Sequence, residues 1–435
     1  MSPSLHPSPS LHPSPSPSPS PSLYPSPRRP RLTDQAPGPV SPRRDVARAL
    51  AARAYVPTFI AEIGIGAILP VLALSVVGMG HSAVLGSLAV AAYQAGRLPG
   101  SAWGGALAHR SGASRAAMLS LGVLGTGAVI AGASPGIVPF MAGAALVGLG
   151  HAAYHVARQE QILGVIRPAF TARSLTTLAG VWRIANFIGP LLGAALIAIA
   201  GVRTTYVLGA VCVAAAMVAL GLSGGMRAGS RATERPPRLP LSRVARDNAR
   251  LLRTLGVAVV ATGALRQARL AVIPLWATHV GLSPEAATLI FSISAAIDML
   301  LFYPAGAVMD RRGRLWTAIP STLLLAAGTL ALPLTEGATA VAAAALLLGV
   351  GNGWGSGLIM TLGADVAPAQ GRSVFTGLWM ILQDAGGLLG PAIVSLGALI
   401  ALPVGFVAVG GAGLATAGAF AVWVPRGPRG AHAVE

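Results

Sequence analysis

Apolar residues fall into long uninterrupted stretches separated by short polar or glycine-rich gaps. The stretches lie at about 55–77, 84–108, 116–134, 137–157, 175–199, 204–223, 254–279, 286–308, 316–334, 338–364, 374–398 and 403–424. Each is close to the ~20 residues a helix needs to cross a bilayer. The pattern predicts an all-α integral membrane protein of twelve transmembrane helices, with the lipid bilayer as its main solvent.

The composition agrees, with 54% hydrophobic and 10% charged residues. A net charge of +18 would suit a nucleic-acid binder, but the positions of the charges exclude that reading. All 31 basic residues are arginine, which together with the Ala and Gly excess points to a high-GC bacterial genome. Connections after odd-numbered spans carry almost no charge, Arg203 being the basic exception. Those after even-numbered spans carry Arg110 and Arg115; Arg158, Arg167 and Arg173; eight arginines from Arg227 to Arg253; Arg311, Arg312 and Arg314; and Arg372. Short arginine-rich loops stay in the cytoplasm, so both termini are expected there, in a multi-pass protein of a bacterial cytoplasmic (inner) membrane. The expected organisation is a Ser/Pro-rich disordered tail over 1–45, a six-helix half over 46–225, a cytoplasmic linker over 226–253, a second six-helix half over 254–424 and a tail over 425–435. The linker carries an expected amphipathic helix around Leu241 to Leu252. A single cysteine, Cys212, excludes an internal disulfide and a multi-cysteine metal site. There is no nucleophile–base set, metal constellation or P-loop, so neither an enzyme nor direct ATP drive is expected, and no cofactor.

The halves repeat. Gly105-Ala-Leu-Ala-His109-Arg110 after the second span and Gly306-Ala-Val-Met-Asp310-Arg311 after the eighth lie 201 residues apart. The same spacing relates Gly148, Gly150 and His151 to Gly349, Gly351 and Asn352, and Gly189-Pro190 to Gly390-Pro391. Internal repeats of this kind mark transporters made of two similar halves. With Gly306, Asp310, Arg311, Gly313 and Arg314 matching the pattern G-x-x-x-D-R-x-G-R, the chain resembles the major facilitator superfamily from about residue 50 to 424. The first copy departs from the pattern at His109, where an acid is usual. Gly180, Gly189, Pro190 and Gly193 look like the fifth-helix motif of the family's antiporters, with Ala194 in place of a further glycine. The arginine that many proton-coupled members carry on the fourth helix is replaced by Ala144.

The resemblance implies twelve helices in two pseudo-symmetric halves around a central cavity, with the third, sixth, ninth and twelfth at the periphery. It implies that Asp310 docks at the start of the fifth helix, near Thr171 to Ser174, and that His109 makes a weaker latch against the eleventh. Glycines at Gly306 and Gly313 would allow close approach and a sharp turn.

Ionisable residues inside spans cost about 2.5–3.5 kcal/mol each on insertion scales, which makes them functional candidates. They are Glu62, Arg97, Arg183, Arg266, Arg269, Asp298 and Asp384. Under the repeat, Arg97 corresponds to Asp298 and Arg183 to Asp384. Pro70 and Pro274 align the first and seventh spans, which matches Glu62 to Arg266, so all three positions invert sign. Inversion predicts two contacts between the halves, Arg97 with Asp384 and Arg183 with Asp298. The alternative is pairing within each half, Glu62 with Arg97 or Arg183, and Arg266 or Arg269 with Asp298 or Asp384.

His151 and His155 lie one turn apart on the fourth span and read as a proton-responsive pair near the cytoplasmic mouth, with packing the plainer role for His155. Tyr93, Gln94, Trp182, Asn186, Gln267, Asn352, Trp354, Trp379 and Gln383 are candidates for substrate contacts. The expected function is proton-coupled efflux of a small molecule by a monomer working through alternating access. Proton-coupled uptake of an anionic solute and a membrane sensor are the rivals.

Overall fold

The computed structural model describes residues 54–163, 171–223, 240–368, 370 and 372–424. The tails expected over 1–45 and 425–435 lie outside them, as does the first half of the linker, 226–239. The described residues contain no strand. The membrane helices are α1 (Val56–Gly78), α2 (Ala83–Ser111), α3 (Ala113–Ala133), α4 (Ile137–Leu163), α5 (Thr171–Ala200) and α6 (Thr204–Leu222). After the linker come α7 (Val257–His279), α8 (Pro284–Arg312), α9 (Leu315–Ala331), α10 (Gly337–Val366), α11 (Arg372–Ala398) and α12 (Leu402–Trp423). Eleven of these stretches are long and apolar enough to cross a membrane. The twelfth, α2, has the length but is diluted by Gln94, Arg97, His109 and Arg110, because it faces the junction between the halves.

The fourth helix differs from expectation. It runs six residues past the expected end at 157, so Arg158, read from sequence as a loop arginine, sits inside α4 and is buried. Two helices are interrupted: α1 at Leu69–Pro70, and α10 at Gly355–Gly357, where Gly357 has φ +77°. The linker's end forms the helix Leu241–Asp247, whose Val244 packs with Leu255, Met309, Phe375 and Trp379.

Packing follows the repeat. In the first half α1 packs on α5 and α6, α2 on α4, and α3 on α4 and α6. In the second, α7 packs on α11 and α12, α8 on α10, and α9 on α10 and α12. Lipid gives helices no hydrophobic reason to associate, so small residues that let backbones touch carry the packing. A side chain on Gly148 would strike the Tyr93 carbonyl of α2, and one on its repeat partner Gly349 the Ser294 carbonyl of α8.

The halves meet along α2 with α11 and α5 with α8, and the Val71–Gly78 part of α1 lies against α7. Three serines reach across: Ser87 Oγ donates to the Pro391 carbonyl (2.5 Å), Ser395 Oγ to that of Val84 (2.9 Å) and Ser292 Oγ to that of Phe187 (3.0 Å). Each serine lies in the third of its helix nearest the weakly charged loops, so the halves are joined at that end. At the arginine-rich end His109, Arg110, Asp310 and Arg311 are exposed. The close approach expected at Gly306 is not found, since nothing lies within 4 Å of where its side chain would point. Gly313 does turn sharply, with φ +94°, as does Gly112 at φ +84°. Of the docking segment expected for Asp310, the side chains of residues 171–173 lie outside the described ones. Arg314 instead holds Asp365 at the end of α10 with both arms of its guanidinium, at 2.6 and 3.1 Å.

Candidate functional site

In the first half α1, α2 and α4 converge on one buried carboxylate. Glu62 is fully buried and faces α4, whose His151 and Arg158 lie seven residues, two turns, apart and therefore on one face. Arg158 Nη1 is 3.2 Å from Glu62 Oε1, and His151 Nε2 is 3.3 Å from Oε2. A carboxylate without water survives in the charged form only when paired this way. The other ring nitrogen, Nδ1, meets the Tyr93 hydroxyl at 2.6 Å and Arg97 Nη1 at 3.4 Å. A guanidinium can only donate. Nδ1 therefore accepts, and Nε2 is the ring nitrogen that faces Glu62, near it but without a hydrogen bond to it. Arg97 also lies 3.9 Å from Asp384 Oδ1 on α11, across the junction. That pair is 23% and 21% exposed, unlike the sealed group around Glu62.

The result is a continuous polar chain, Arg158–Glu62–His151–Tyr93–Arg97–Asp384, from the interior of one half into the other. It corrects the expected partners of Glu62, which is joined to Arg158 and His151 and not to Arg97 or Arg183. It also moves His151 from the mouth into the buried core of the half, while His155 one turn on is only half-buried. Arg158 was missed because its charge ended the apolar run. Its spacing from His151 was the available signal.

The second half places the same three positions on α7, α8 and α10. Arg266 is fully used: Nε donates to Asn352 Oδ1 (2.8 Å), Nη2 to the Asn352 carbonyl (3.0 Å) and Nη1 to the Gly355 carbonyl (2.9 Å), where α10 is interrupted. Asn352 Nδ2 donates in turn to Asp298 Oδ2, and Arg269 Nη2 lies 3.6 Å from the same oxygen. Asn352 thus stands where its repeat partner His151 stands, between a charge on the first helix of its half and one on the second.

Arg183 does not meet Asp298, which is engaged by Arg269 and Asn352 within its own half. Arg183 instead donates to Ser356 Oγ (2.9 Å) in the interruption of α10 and to the Ala179 carbonyl (3.2 Å). Its guanidinium lies 3.8 Å from the centre of the Phe302 ring and 5.7 Å from that of Trp182. Among the other expected contact residues, Gln94 and Gln267 converge beside Gly387. Trp379 is buried in packing and donates to the Ile359 carbonyl, whereas Trp354 donates to the carbonyl of the exposed Trp316 at the surface of the second half. Asn186 bonds its own helix at the Trp182 carbonyl. Gly189 and Gly193 press α5 onto α1 at Gly66 and Ala67, as Gly390 presses α11 onto Ala264 of α7; Gly180 has open space around it. Pro190 lies within α5 without ending it. Among the described residues no three His, Cys, Asp or Glu side chains come together.

A family model described as Major Facilitator Superfamily matches residues 54–391 and, overlapping, 255–435. No curated protein matches the chain. Solved structures with a similar fold include a POT family transporter in complex with a thioalcohol conjugated peptide, with TM-score 0.72 and 12% identity over 87% of this chain and 96% of that one. A nucleoside transporter, NupG, gives TM-score 0.70 and 11% identity, covering 87% and 98%. A D-xylose-proton symporter gives 0.69 and 14%, also covering 87% and 98%.

Proposed function

The chain belongs to the major facilitator superfamily and is a multi-pass membrane transporter of small molecules, not an enzyme, and from that premise we propose that it is a proton-coupled exporter. Two six-helix halves, 46–225 and 254–424, rock about a mid-membrane site, with the arginine-rich loops and both termini in the cytoplasm of a bacterium and one chain as the working unit. The observation that carries proton coupling is the polar chain from Glu62 through His151, Tyr93 and Arg97 to Asp384. Its two carboxylates differ in access: Asp384 is partly open and Glu62 is sealed. Protonation of Asp384 removes the charge that holds Arg97 across the junction and loosens α2 from α11. A proton passed inward through His151 to Glu62 frees Arg158 instead. The two end states leave different arginines uncompensated, Arg97 of α2 at the junction or Arg158 of α4 inside the half, which ties proton position to the contact between halves.

Export as the direction is supported by the likeness of Gly180, Gly189, Pro190 and Gly193 to an antiporter motif. Gly189 and Gly390 have the same packing role in the two halves, however, and a similar fold belongs to a D-xylose-proton symporter. Uptake with protons is therefore the second reading. Flux of a labelled solute panel in proteoliposomes under imposed pH gradients of either sign separates them. Glu62→Gln is expected to abolish gradient-driven flux and retain solute exchange. Normal gradient-driven flux in that variant would remove Glu62 from the mechanism.

A further inference from the structure

Charges in the membrane interior do not balance. The described spans place Arg97, Arg158, Arg183, Arg266 and Arg269 there against Glu62, Asp298 and Asp384. Arg158 has Glu62, Arg97 has Asp384, and Arg269 has Asp298. Arg266 has no carboxylate, but all three of its nitrogens donate to protein acceptors. Arg183 differs in having neither a carboxylate nor a full set of acceptors. Its described polar partners are a hydroxyl and a carbonyl, both neutral, and its buried Nε has no acceptor, as is also true of nitrogens on the carboxylate-paired Arg158 and Arg269.

The place is as telling as the deficit. Arg183 reaches from α5 of one half to Ser356 of the other, at the point where α10 stops and restarts as the nine-residue helix Leu358–Val366. The start of a helix carries partial positive charge, so a second feature here favours an anion. Discontinuous helices near the midplane are where transporters build solute sites. Phe302 and Trp182 flank the guanidinium and offer apolar faces beside the charge.

We propose that Arg183 is the anchor of the solute site and that the transported molecule carries a carboxylate or phosphonate-like anion next to an apolar, ring-bearing body. The anion takes the place of Ser356 on the guanidinium, in the short charge-assisted geometry that arginine makes with carboxylate and phosphate oxygens. The body lies against Phe302 and Trp182. Because Arg183 and Ser356 belong to different halves, exchanging the serine for the solute releases a contact between halves when solute binds. The inference names the substrate class of the transport site described above and rests on that reading.

The test uses the full chain, purified and without a pH gradient. Benzoate and phenylphosphonate are titrated against the matched neutral and cationic probes benzamide and benzylamine, with thermal shift and equilibrium dialysis as readouts. The anions are expected to bind and the controls to bind at least tenfold more weakly. Arg183→Gln should weaken anion binding by about tenfold or more, and Arg183→Lys, which keeps the charge and protects the fold, should recover part of it. Phe302→Leu should weaken benzoate more than acetate. Benzylamine binding as well as benzoate, unchanged benzoate binding in both Arg183 variants, or no anion binding by folded wild-type protein would each overturn the proposal. Loss of gradient-driven flux would count against the proton pathway and leave this result standing, whereas gradient-driven flux of a cation alone would defeat only this one.

Discussion

In the first half an acid on α1 and a base on α2 are bridged by His151; in the second a base on α7 and an acid on α8 are bridged by Asn352. In each half the bridging side chain stands between the acid and the base, so one arrangement serves two charge patterns of opposite sign. The bridges differ in one property. An imidazole has a second ring nitrogen that can take up a proton, and a carboxamide has none. The helices differ too, since α4 runs unbroken past its bridge and α10 is interrupted just after it. In the function proposed above, this contrast gives proton handling to the first half and solute handling to the second half's edge, with Arg183 and Arg97 reaching across.

The largest expected effect tests how sealed the first bridge is. Arg158→Leu strands the fully buried Glu62 charge and should cost about 3–5 kcal/mol, measured as thermal stability in detergent, with Glu62→Leu added to it recovering most of the loss. Arg269→Leu should cost less, because Asp298 keeps Asn352 and the pair is 11% and 12% exposed. An equal or greater loss for Arg269→Leu would erase the contrast between the halves.

Next comes the bridge itself. His151→Asn keeps a donor and an acceptor in place while removing the second proton, and should lower gradient-driven flux at least about tenfold, roughly 1.4 kcal/mol, with exchange retained. Asn352→His should not restore flux to that variant. Full pH-driven flux in His151→Asn would end the assignment of proton handling to this residue.

A smaller effect belongs to the pair between halves. At 3.9 Å and about a fifth exposed, Arg97 and Asp384 should each cost less on charge reversal than the about 3–5 kcal/mol of a sealed pair. The double swap, Arg97→Asp with Asp384→Arg, should recover transport. A double swap no better than either single would show that the contact is incidental.

The smallest concerns the unequal loops. His109→Asp should favour the state closed at the arginine-rich end by about 0.3–1 kcal/mol, the scale of a charge at a helix terminus, and Asp310→Asn should disfavour it. Accessibility of a cysteine placed at that end reports the shift, and identical labelling in wild type and both variants would contradict it.

Much of this was legible because bilayer and chain share one length scale: twelve apolar stretches mark twelve helices, and the repeat spacing of 201 residues pairs His151 with Asn352 and Arg97 with Asp298. What failed were the judgements that need a third dimension. Arg158 lay beyond an apolar run and read as a loop, although a charge two turns below a histidine on one face needed only a buried partner. The contact of Arg183 with Asp298 followed from symmetry, but symmetry is broken where α10 is interrupted and Ser356 is presented instead. The sequence Gly355-Ser356-Gly357 was the visible trace of that break.

The serine contacts at the weakly charged end have an electrical consequence. Ser87, Ser292 and Ser395 each give a hydroxyl hydrogen to a main-chain carbonyl, so parting them moves no net charge along the membrane normal. A membrane potential of 100 mV does work of about 2.3 kcal/mol on each elementary charge carried across it, and on these bonds it does almost none. Parting these bonds is by itself indifferent to voltage, and in the proposed cycle the membrane potential acts instead through the charges at mid-depth, Arg97, Arg183 and the proton among them.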